Sequence, residues 1–329
     1  MMHTIVLGLL AASLQPELSA QPADGAWNHA VCMATSMDGR TWNERDVPVR
    51  VRSTSPTVVS LSGKGDAGEE GLLALYTLDL GGSHGMSLGR WVSNDAGKRW
   101  YATTGLSIDG DWGGSPRDIC VVQLDDGRIR MYGVITPPPP PPVRDPGDPG
   151  TPQLPLPPGP PGRPRPIPPP SVPEGPPREA PLTAVVRSAI STDGLKFVIE
   201  AGDRFELANI TTVDVAPVNG KWVMLLTRGR EIVGARGDDG LAFTLEPAMS
   251  WEAAMEPTLC TIPAGELRVF AATQRGIVSA TLDTQSWKIK PDASTLVSSP
   301  AGHPTTTFLA GGTQLLLFTR FLDGRDPRW

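Results

Sequence analysis

The sequence predicts an all-β protein, a five-bladed β-propeller whose blades are four-stranded antiparallel sheets. Three observations support this prediction: a hairpin motif that recurs along the chain, a pair of apolar strand segments that alternates with it, and a composition rich in turn-forming residues. Glycine and proline each contribute 36 of the 329 residues, while charged residues make up only 19%. Such a balance favours many turns over long helices.

The hairpin motif combines serine, aspartate, glycine and an aromatic residue. Its two clearest copies occupy residues 36–42 and 93–100, and weaker copies follow at 191–197, 238–243 and 281–287. In a tight hairpin, Ser and Asp side chains bind backbone N–H groups, glycine supplies a positive φ and the aromatic ring packs on the sheet. Five copies therefore imply five similar units.

The pattern S-x-D-x-G-x-x-W resembles the Asp box, or BNR repeat, of sialidases and related propellers. This resemblance implies that each copy joins the two outer strands of a blade, far from an active site, and that its aspartate is structural. Sialidases are usually six-bladed and use a tyrosine nucleophile. The tyrosines of this chain, Tyr76, Tyr101 and Tyr132, instead lie in or beside strand patterns.

A second repeat, a pair of apolar segments joined by a glycine turn, alternates with the hairpins. The pairs are 55–59 with 73–76, 118–122 with 129–132, 213–216 with 222–226, 256–259 with 267–270, and 303–306 with 315–318. Nearly all-apolar segments indicate strands buried on both faces, here the two inner strands of a blade. An inner pair followed by an outer hairpin is the strand order of a propeller blade.

The chain starts with an outer hairpin at 30–49 and stops after an inner pair near Phe321. The N-terminal and C-terminal strands are therefore expected to complete one shared blade and close the ring, which removes exposed strand edges. We expect a single propeller domain over residues 21–329.

A proline-rich segment, 137–181, interrupts the second blade between its second and third strands. Proline cannot donate to a sheet, so the segment is expected to be a disordered, extended insertion. It is either a tolerated insertion or a spacer or ligand for a proline-binding module.

The first residues resemble an export signal. Residues 5–14 are apolar and small residues follow at Ser19 and Ala20, so residues 1–20 are expected to be a cleavable signal peptide; the alternative is a frayed amino terminus. The segment is too short to span a bilayer. We expect a secreted or periplasmic protein, monomeric and without a membrane span after signal removal.

Cys32, Cys120 and Cys260 are expected to be buried thiols, with a disulfide between one pair left open.

Aligning the inner strands on their glycine turns places one residue per blade at the mouth of a central funnel: Ser55, Asp118, Thr211, Glu256 and His303. Asp118 and Glu256 are candidates for the carboxylate pair of a glycoside hydrolase, with Asp214 as a reserve. Because their blades are not adjacent, a wide separation and inversion are expected. His303 is a proton shuttle, a cation ligand with the two acids, or a hydrogen-bonded structural residue.

Four arginines are expected on the same face, at or beside strand ends: Arg117, Arg228, Arg275 and Arg320. A guanidinium group offers a fork of donors that suits the carboxylate of a sialic or uronic acid. The alternative is that these are solvated rim residues.

Acids on the inner strands of five blades also resemble the furanosidase propellers, which place Asp, Asp and Glu on successive blades. The matching set would be Asp118, Asp214 and Glu256, shifted by one blade. Our hypothesis is a carbohydrate-active propeller, a sialidase-like or furanosidase-like hydrolase or a glycan binder, needing no cofactor and no metal. The alternative is a non-catalytic binding or scaffold propeller.

A net charge of −6 without a Lys- and Arg-rich run argues against a nucleic-acid partner.

Overall fold

The computed structural model describes residues 28–61, 72–80, 86–136, 183–262, 265–309 and 312–322. Within these ranges the regular structure consists of β-strands arranged in five separate sheets. The expected signal peptide and the proline-rich segment lie outside the described residues, so both remain predictions.

The strands follow the chain in blade order. In the described part of the chain, the first three strands are β1 (His29–Ser36), β2 (Asn43–Glu44) and β3 (Arg50–Val51), and they belong to the last blade. Blade 1 contains β4 (Ser53–Leu61), β5 (Leu72–Leu80), β6 (Met86–Ser93) and β7 (Tyr101–Ala102). After β8 (Ser107–Asp109), blade 2 contains β9 (Pro116–Gln123), β10 (Ile129–Ile135), β11 (Thr183–Ser191), β12 (Lys196–Ile199) and β13 (Phe205–Ala208).

Blades 3 to 5 complete the ring. Blade 3 contains β14 (Ile210–Val218), β15 (Lys221–Arg228), β16 (Glu231–Gly237) and β17 (Thr244–Glu252). Blade 4 contains β18 (Met255–Thr261), β19 (Leu267–Thr273), β20 (Gly276–Asp283) and β21 (Lys288–Ser298). Blade 5 contains β22 (Ala301–Phe308) and β23 (Gln314–Phe321), followed outward by β1 and then by β2 and β3.

The first strand of each blade lies at the centre. These five strands, β4, β9, β14, β18 and β22, each contact the first strand of the next blade, and β22 contacts β4. The protein is a five-bladed β-propeller, as the sequence predicts.

The ring closes inside blade 5. Strand β1 pairs antiparallel with β23 along its whole length, from His29 opposite Phe321 to Ser36 opposite Gln314. The expected pairing of the N-terminal and C-terminal strands is therefore confirmed.

The core is divided among the interfaces between blades. Five clusters of buried apolar side chains lie between successive blades, including the one between blades 5 and 1. Every residue of β10 is buried, which agrees with the expectation that inner strands are covered on both faces. Burial of this apolar surface is the main force holding the blades to one another.

The hairpin motifs connect the third strand of each blade to its outer edge. In the first copy, Asp38 Oδ1 accepts hydrogen bonds from the backbone N–H of Arg40 at 2.8 Å and of Thr41 at 2.7 Å. Ser36 Oγ accepts from the N–H of Gly39 at 2.8 Å, and Gly39 has a φ of 69°. The same bonds form at Asp193 and Ser191. These aspartates therefore stabilise turns.

Two features of the blade edges were not expected. The outer edge is divided into two short strands in blades 2 and 5, and β8 adds to blade 2 by pairing parallel with β12. The residues of β8 alternate between exposed and half-buried, so no apolar run marks this strand in the sequence.

Within the described ranges, no helix is both long and apolar enough to cross a membrane. Cys32, Cys120 and Cys260 are all free thiols, the first two buried and the third half-buried. No pair of them forms the disulfide that the sequence left open.

Candidate functional site

A small cavity lies on the propeller axis where the five inner strands meet. Its lining comes from all five blades and includes the ionisable or hydroxyl-bearing residues Ser55, Thr57, Asp118, Asp214, Glu256, His303 and Thr305. We call it the axial cavity. Its volume of about 20 Å³ is enough for one water molecule and too small for a sugar ring.

Irregularities in the inner strands turn these side chains inward. The pairing register shifts beside Ser55, Glu256 and His303, and such bulges bend a strand and redirect its side chains. All three residues have left-handed backbone conformations, with φ of 47°, 53° and 44°. Each precedes a proline in an X-Pro-Thr triplet, a position that normally disfavours this conformation. A non-glycine residue held this way costs about 1–3 kcal/mol.

Glu256 holds His303 at two points. Its Oε1 lies 2.7 Å from His303 Nε2, and its Oε2 accepts a hydrogen bond from the His303 backbone N–H at 2.8 Å. The Glu256 side chain is only 6% exposed, so a protonated imidazole beside it would favour the carboxylate form. The Glu256 backbone N–H in turn donates to Thr227 Oγ1 at 2.6 Å.

Asp118 is buried between blades 2 and 3. Its Oδ2 accepts a hydrogen bond from the Val213 backbone N–H at 3.0 Å, and the carboxyl group also accepts one from the Ser55 hydroxyl; both bonds lower its pKa. Burial raises the pKa of Asp118, and the nearby charge of His303 only partly opposes this. The environment of Asp118 therefore favours a neutral carboxyl group.

Asp214 faces the axial cavity from blade 3. Burial raises the pKa of Asp214 to about 7, although the Leu259 backbone N–H donates to its Oδ2 at 2.8 Å and works in the opposite direction. The Cys120 thiol lies 3.5 Å from Asp214 Oδ1, and burial raises the pKa of that thiol as well. The Cys120 thiol is therefore an unreactive neighbour.

The lining brings together Ser55, Asp118, Glu256 and His303, which the alignment of inner strands places at one mouth, and it also includes Asp214, the expected reserve carboxylate. Thr211 is exposed and does not line the cavity. The pairing register of β14 shifts between Ile210 and Thr212, so Thr211 falls in the irregularity and Asp214 faces inward instead.

The four arginines do not converge on the cavity, and none of them is among its lining residues. Arg228 pairs with Glu231 and Arg320 with Glu44. Arg275 is exposed and donates to the Ala293 carbonyl at 3.4 Å, and Arg117 is exposed. Arg228 and Arg320 lie on second strands, one strand further from the axis than the acids, where they pair with carboxylates of their own blades.

Among the described residues, no group of three or more His, Cys, Asp and Glu side chains is arranged to hold a metal ion.

Comparison with known proteins identifies the fold but not a family. No protein-family model matches the chain, and no curated protein does. Among solved structures, a thermostable family-43 glycoside hydrolase has a TM-score of 0.53 at 12% identity, covering 84% of this chain and 89% of its own. A Dyadobacter fermentans protein of unknown function has a TM-score of 0.51 at 13% identity, covering 89% and 84%.

A third structure is a family-43 arabinoxylan arabinofuranohydrolase from Bacillus subtilis, with a TM-score of 0.51 at 13% identity. The match covers 83% of this chain but only 63% of that enzyme, less than two thirds of its length. These matches agree with the looser resemblance to furanosidase propellers. They do not confirm the resemblance to sialidases.

Proposed function

We propose that this protein is carbohydrate-active: it binds a glycan over the mouth of the axial cavity and hydrolyses a glycosidic bond there. The observation that carries the proposal is the convergence of buried Asp118 and Glu256, from blades 2 and 4, on one water-sized cavity. The likeness in fold to family-43 glycoside hydrolases supports the same class of chemistry by analogy.

Hydrolysis of a glycoside needs one protonated and one ionised carboxyl group. Burial favours the neutral form of Asp118, whereas the imidazole of His303 favours the anionic form of Glu256. Under this proposal Asp118 is the general acid and Glu256 is the general base.

The size of the axial cavity indicates where water and sugar would bind. A volume of about 20 Å³ holds one water, which Glu256 can activate, while the sugar ring sits outside over the mouth. Room for a water between the two carboxyl groups is the arrangement of inverting enzymes. We therefore expect inversion at the anomeric carbon.

For the sugar class, we place neutral furanosides ahead of the acidic sugars of a sialidase. An acidic sugar would need free guanidinium groups near the mouth. Arg228 and Arg320 are paired with Glu231 and Glu44, which leaves the exposed Arg117 and Arg275 for that role.

Export, which the pattern of residues 1–20 supports, belongs to the same proposal. Amino-terminal sequencing of the protein from a periplasmic fraction would test it.

The test is a panel of aryl glycosides that includes arabinofuranosides, xylosides and sialosides. We expect turnover of at least one furanoside, with a loss of at least about 100-fold in both Asp118→Asn and Glu256→Gln. The matched control is Asp126→Asn, because Asp126 is exposed in the β9–β10 turn. NMR of the first product anomer reports the stereochemistry. Folded protein that turns over no sugar would contradict the proposal.

A second candidate function is a non-catalytic scaffold or binding propeller, and one observation favours it. Asp118, Asp214 and Glu256 each accept a hydrogen bond from a backbone N–H of the next blade. In that case Asp118→Asn and Glu256→Gln would alter thermal unfolding and would have no turnover to remove.

A further inference from the structure

A hydroxyl, an imidazole and a carboxylate stand in series in the axial cavity. Ser55 Oγ lies 3.4 Å from His303 Nδ1, and His303 Nε2 lies 2.7 Å from Glu256 Oε1. This is the sequence of contacts by which a base activates a serine nucleophile while a third group orients the base. Such triads are recognised by geometry, whatever the order of the residues in the chain.

We propose that Ser55, His303 and Glu256 form a serine-hydrolase triad that cleaves esters of small acyl groups such as acetate. The proposal goes beyond glycoside hydrolysis because it needs the Ser55 hydroxyl, which that reaction does not use.

The hydrogen bonds assign each nitrogen of His303 a role. Glu256 Oε1 can accept the proton of Nε2, which leaves the lone pair of Nδ1 directed to Ser55. Glu256 also binds the His303 backbone N–H, so the orienting carboxylate and the imidazole are held as one unit. Glu256 is thus a positioning residue that acts through His303.

The backbone presents the serine to the cavity. Ser55 has a φ of 47° within the irregularity of β4 and is followed by Pro56. A nucleophilic serine at a sharp, strained turn is a known way to expose Oγ above a sheet. Ser55 lines the axial cavity although only 3% of the residue is exposed.

The reaction balances with water as the only co-reactant. Ser55 Oγ attacks the ester carbonyl carbon and passes its proton to His303 Nδ1. The carbon–oxygen bond to the alcohol breaks, and His303 returns the proton to the departing alkoxide. Water then attacks the acyl-serine, gives one proton to His303 and releases the carboxylic acid, after which His303 reprotonates Ser55.

The volume of the axial cavity limits the acyl group. A space of about 20 Å³ admits a group the size of a water or a methyl and excludes a fatty acyl chain. We expect 4-nitrophenyl acetate to be hydrolysed at least about 10-fold faster than 4-nitrophenyl octanoate.

The decisive experiment treats the full chain with methanesulfonyl fluoride, which transfers its sulfonyl group to an activated serine and releases hydrogen fluoride. Tandem mass spectrometry should locate the adduct on Ser55. Ser55→Ala and Ser55→Gly, of which glycine fits the positive φ, should lose the adduct and at least about 1000-fold of acetate-ester turnover. Ser60→Ala, on the same strand but remote from the cavity, should lose neither.

Glu256→Gln tests the positioning role: kcat for the acetate ester should fall with KM unchanged, because the glutamine amide would favour the wrong imidazole tautomer. Folded protein without an adduct on Ser55 would overturn the triad, as would unchanged ester turnover in Ser55→Gly. Neither result bears on the glycosidase proposal, which is decided by whether the natural protein turns over a furanoside.

Discussion

At the scale of single residues, Asp214 is a carboxyl group held where ionisation is unfavourable. Burial raises its pKa from 3.8 to about 7. Because the folded state binds this proton more tightly than the unfolded state, the protein binds more protons when folded between about pH 4 and pH 7. The contribution of Asp214 to stability is therefore most favourable at acid pH and is lost as the pH rises through 7.

We predict that Asp214→Asn removes this dependence. The amide oxygen can still accept from the Leu259 N–H, while no ionisation is possible. The difference in unfolding free energy between the variant and the natural protein should grow by about 2–4 kcal/mol in favour of the variant from pH 4.5 to pH 8. Urea denaturation at the two pH values measures it; equal pH slopes for both proteins would contradict the prediction.

The sequence was sufficient to predict that Asp118, Glu256 and His303 lie together near the propeller axis, because the glycine turns align the inner strands with one another. The prediction that Thr211 lies at the same position was wrong, because the irregularity in β14 shifts the side chains that follow it. The contact between Ser55 and His303 was also not predicted from the sequence. This contact depends on blade 5 lying beside blade 1 and on left-handed backbone conformations at both residues. The X-Pro-Thr triplets are the one local sequence feature associated with these conformations.

At the scale of structural elements, a tyrosine on one blade binds the hairpin turn of the next. The Tyr76 hydroxyl donates to the Gly194 carbonyl at 2.8 Å, and the Tyr132 hydroxyl donates to the Gly240 carbonyl at 2.9 Å. Both tyrosines are fully buried. The hairpin motifs thus stabilise contacts between blades as well as their own turns.

We predict that Tyr132→Phe lowers the unfolding free energy by about 1–2 kcal/mol, because the change deprives the Gly240 carbonyl of its tyrosine donor without altering the ring packing. Tyr101→Phe is the matched control, since Tyr101 is 51% exposed. Chemical denaturation of both variants measures the effect. A loss of equal size in the two variants would show that the bond between blades contributes nothing.

The recurrence of the hairpin motif predicted the blades well because its Ser and Asp side chains accept hydrogen bonds from backbone N–H groups of the same turn. The divided outer edges of blades 2 and 5 and the added strand β8 were not predictable in this way. The outer strands of blade 5 and strand β8 are largely exposed, so burial does not select an apolar pattern there. In blade 2, β12 and β13 carry buried or half-buried side chains, but the division of this edge depends on the pairing of both strands with β11.

At the scale of the whole molecule, the proline-rich segment departs from the ring at a point that a short turn can bridge. Strands β10 and β11 pair up to Ile135 opposite Val185, so their ends are already adjacent. Replacing residues 137–182 with a four-residue linker shortens the loop about tenfold, which should stabilise the fold by up to about 2 kcal/mol.

A Gly-Ser loop of the original length is the control for that replacement and should leave stability unchanged. Thermal and urea unfolding of the three proteins test the prediction. A clear loss of stability with the short linker would mean that the proline-rich segment contributes to the fold.

The pairing of β1 with β23 has a consequence for biosynthesis. Strand β1 is translated before blades 1 to 4 and its partner β23 after them, so the β1 edge stays unpaired while those blades are synthesised. A circular permutant that starts at β4 and ends with β3 would give every blade sequentially neighbouring strands. Such a chain should refold faster and depend less on chaperones than the natural order does.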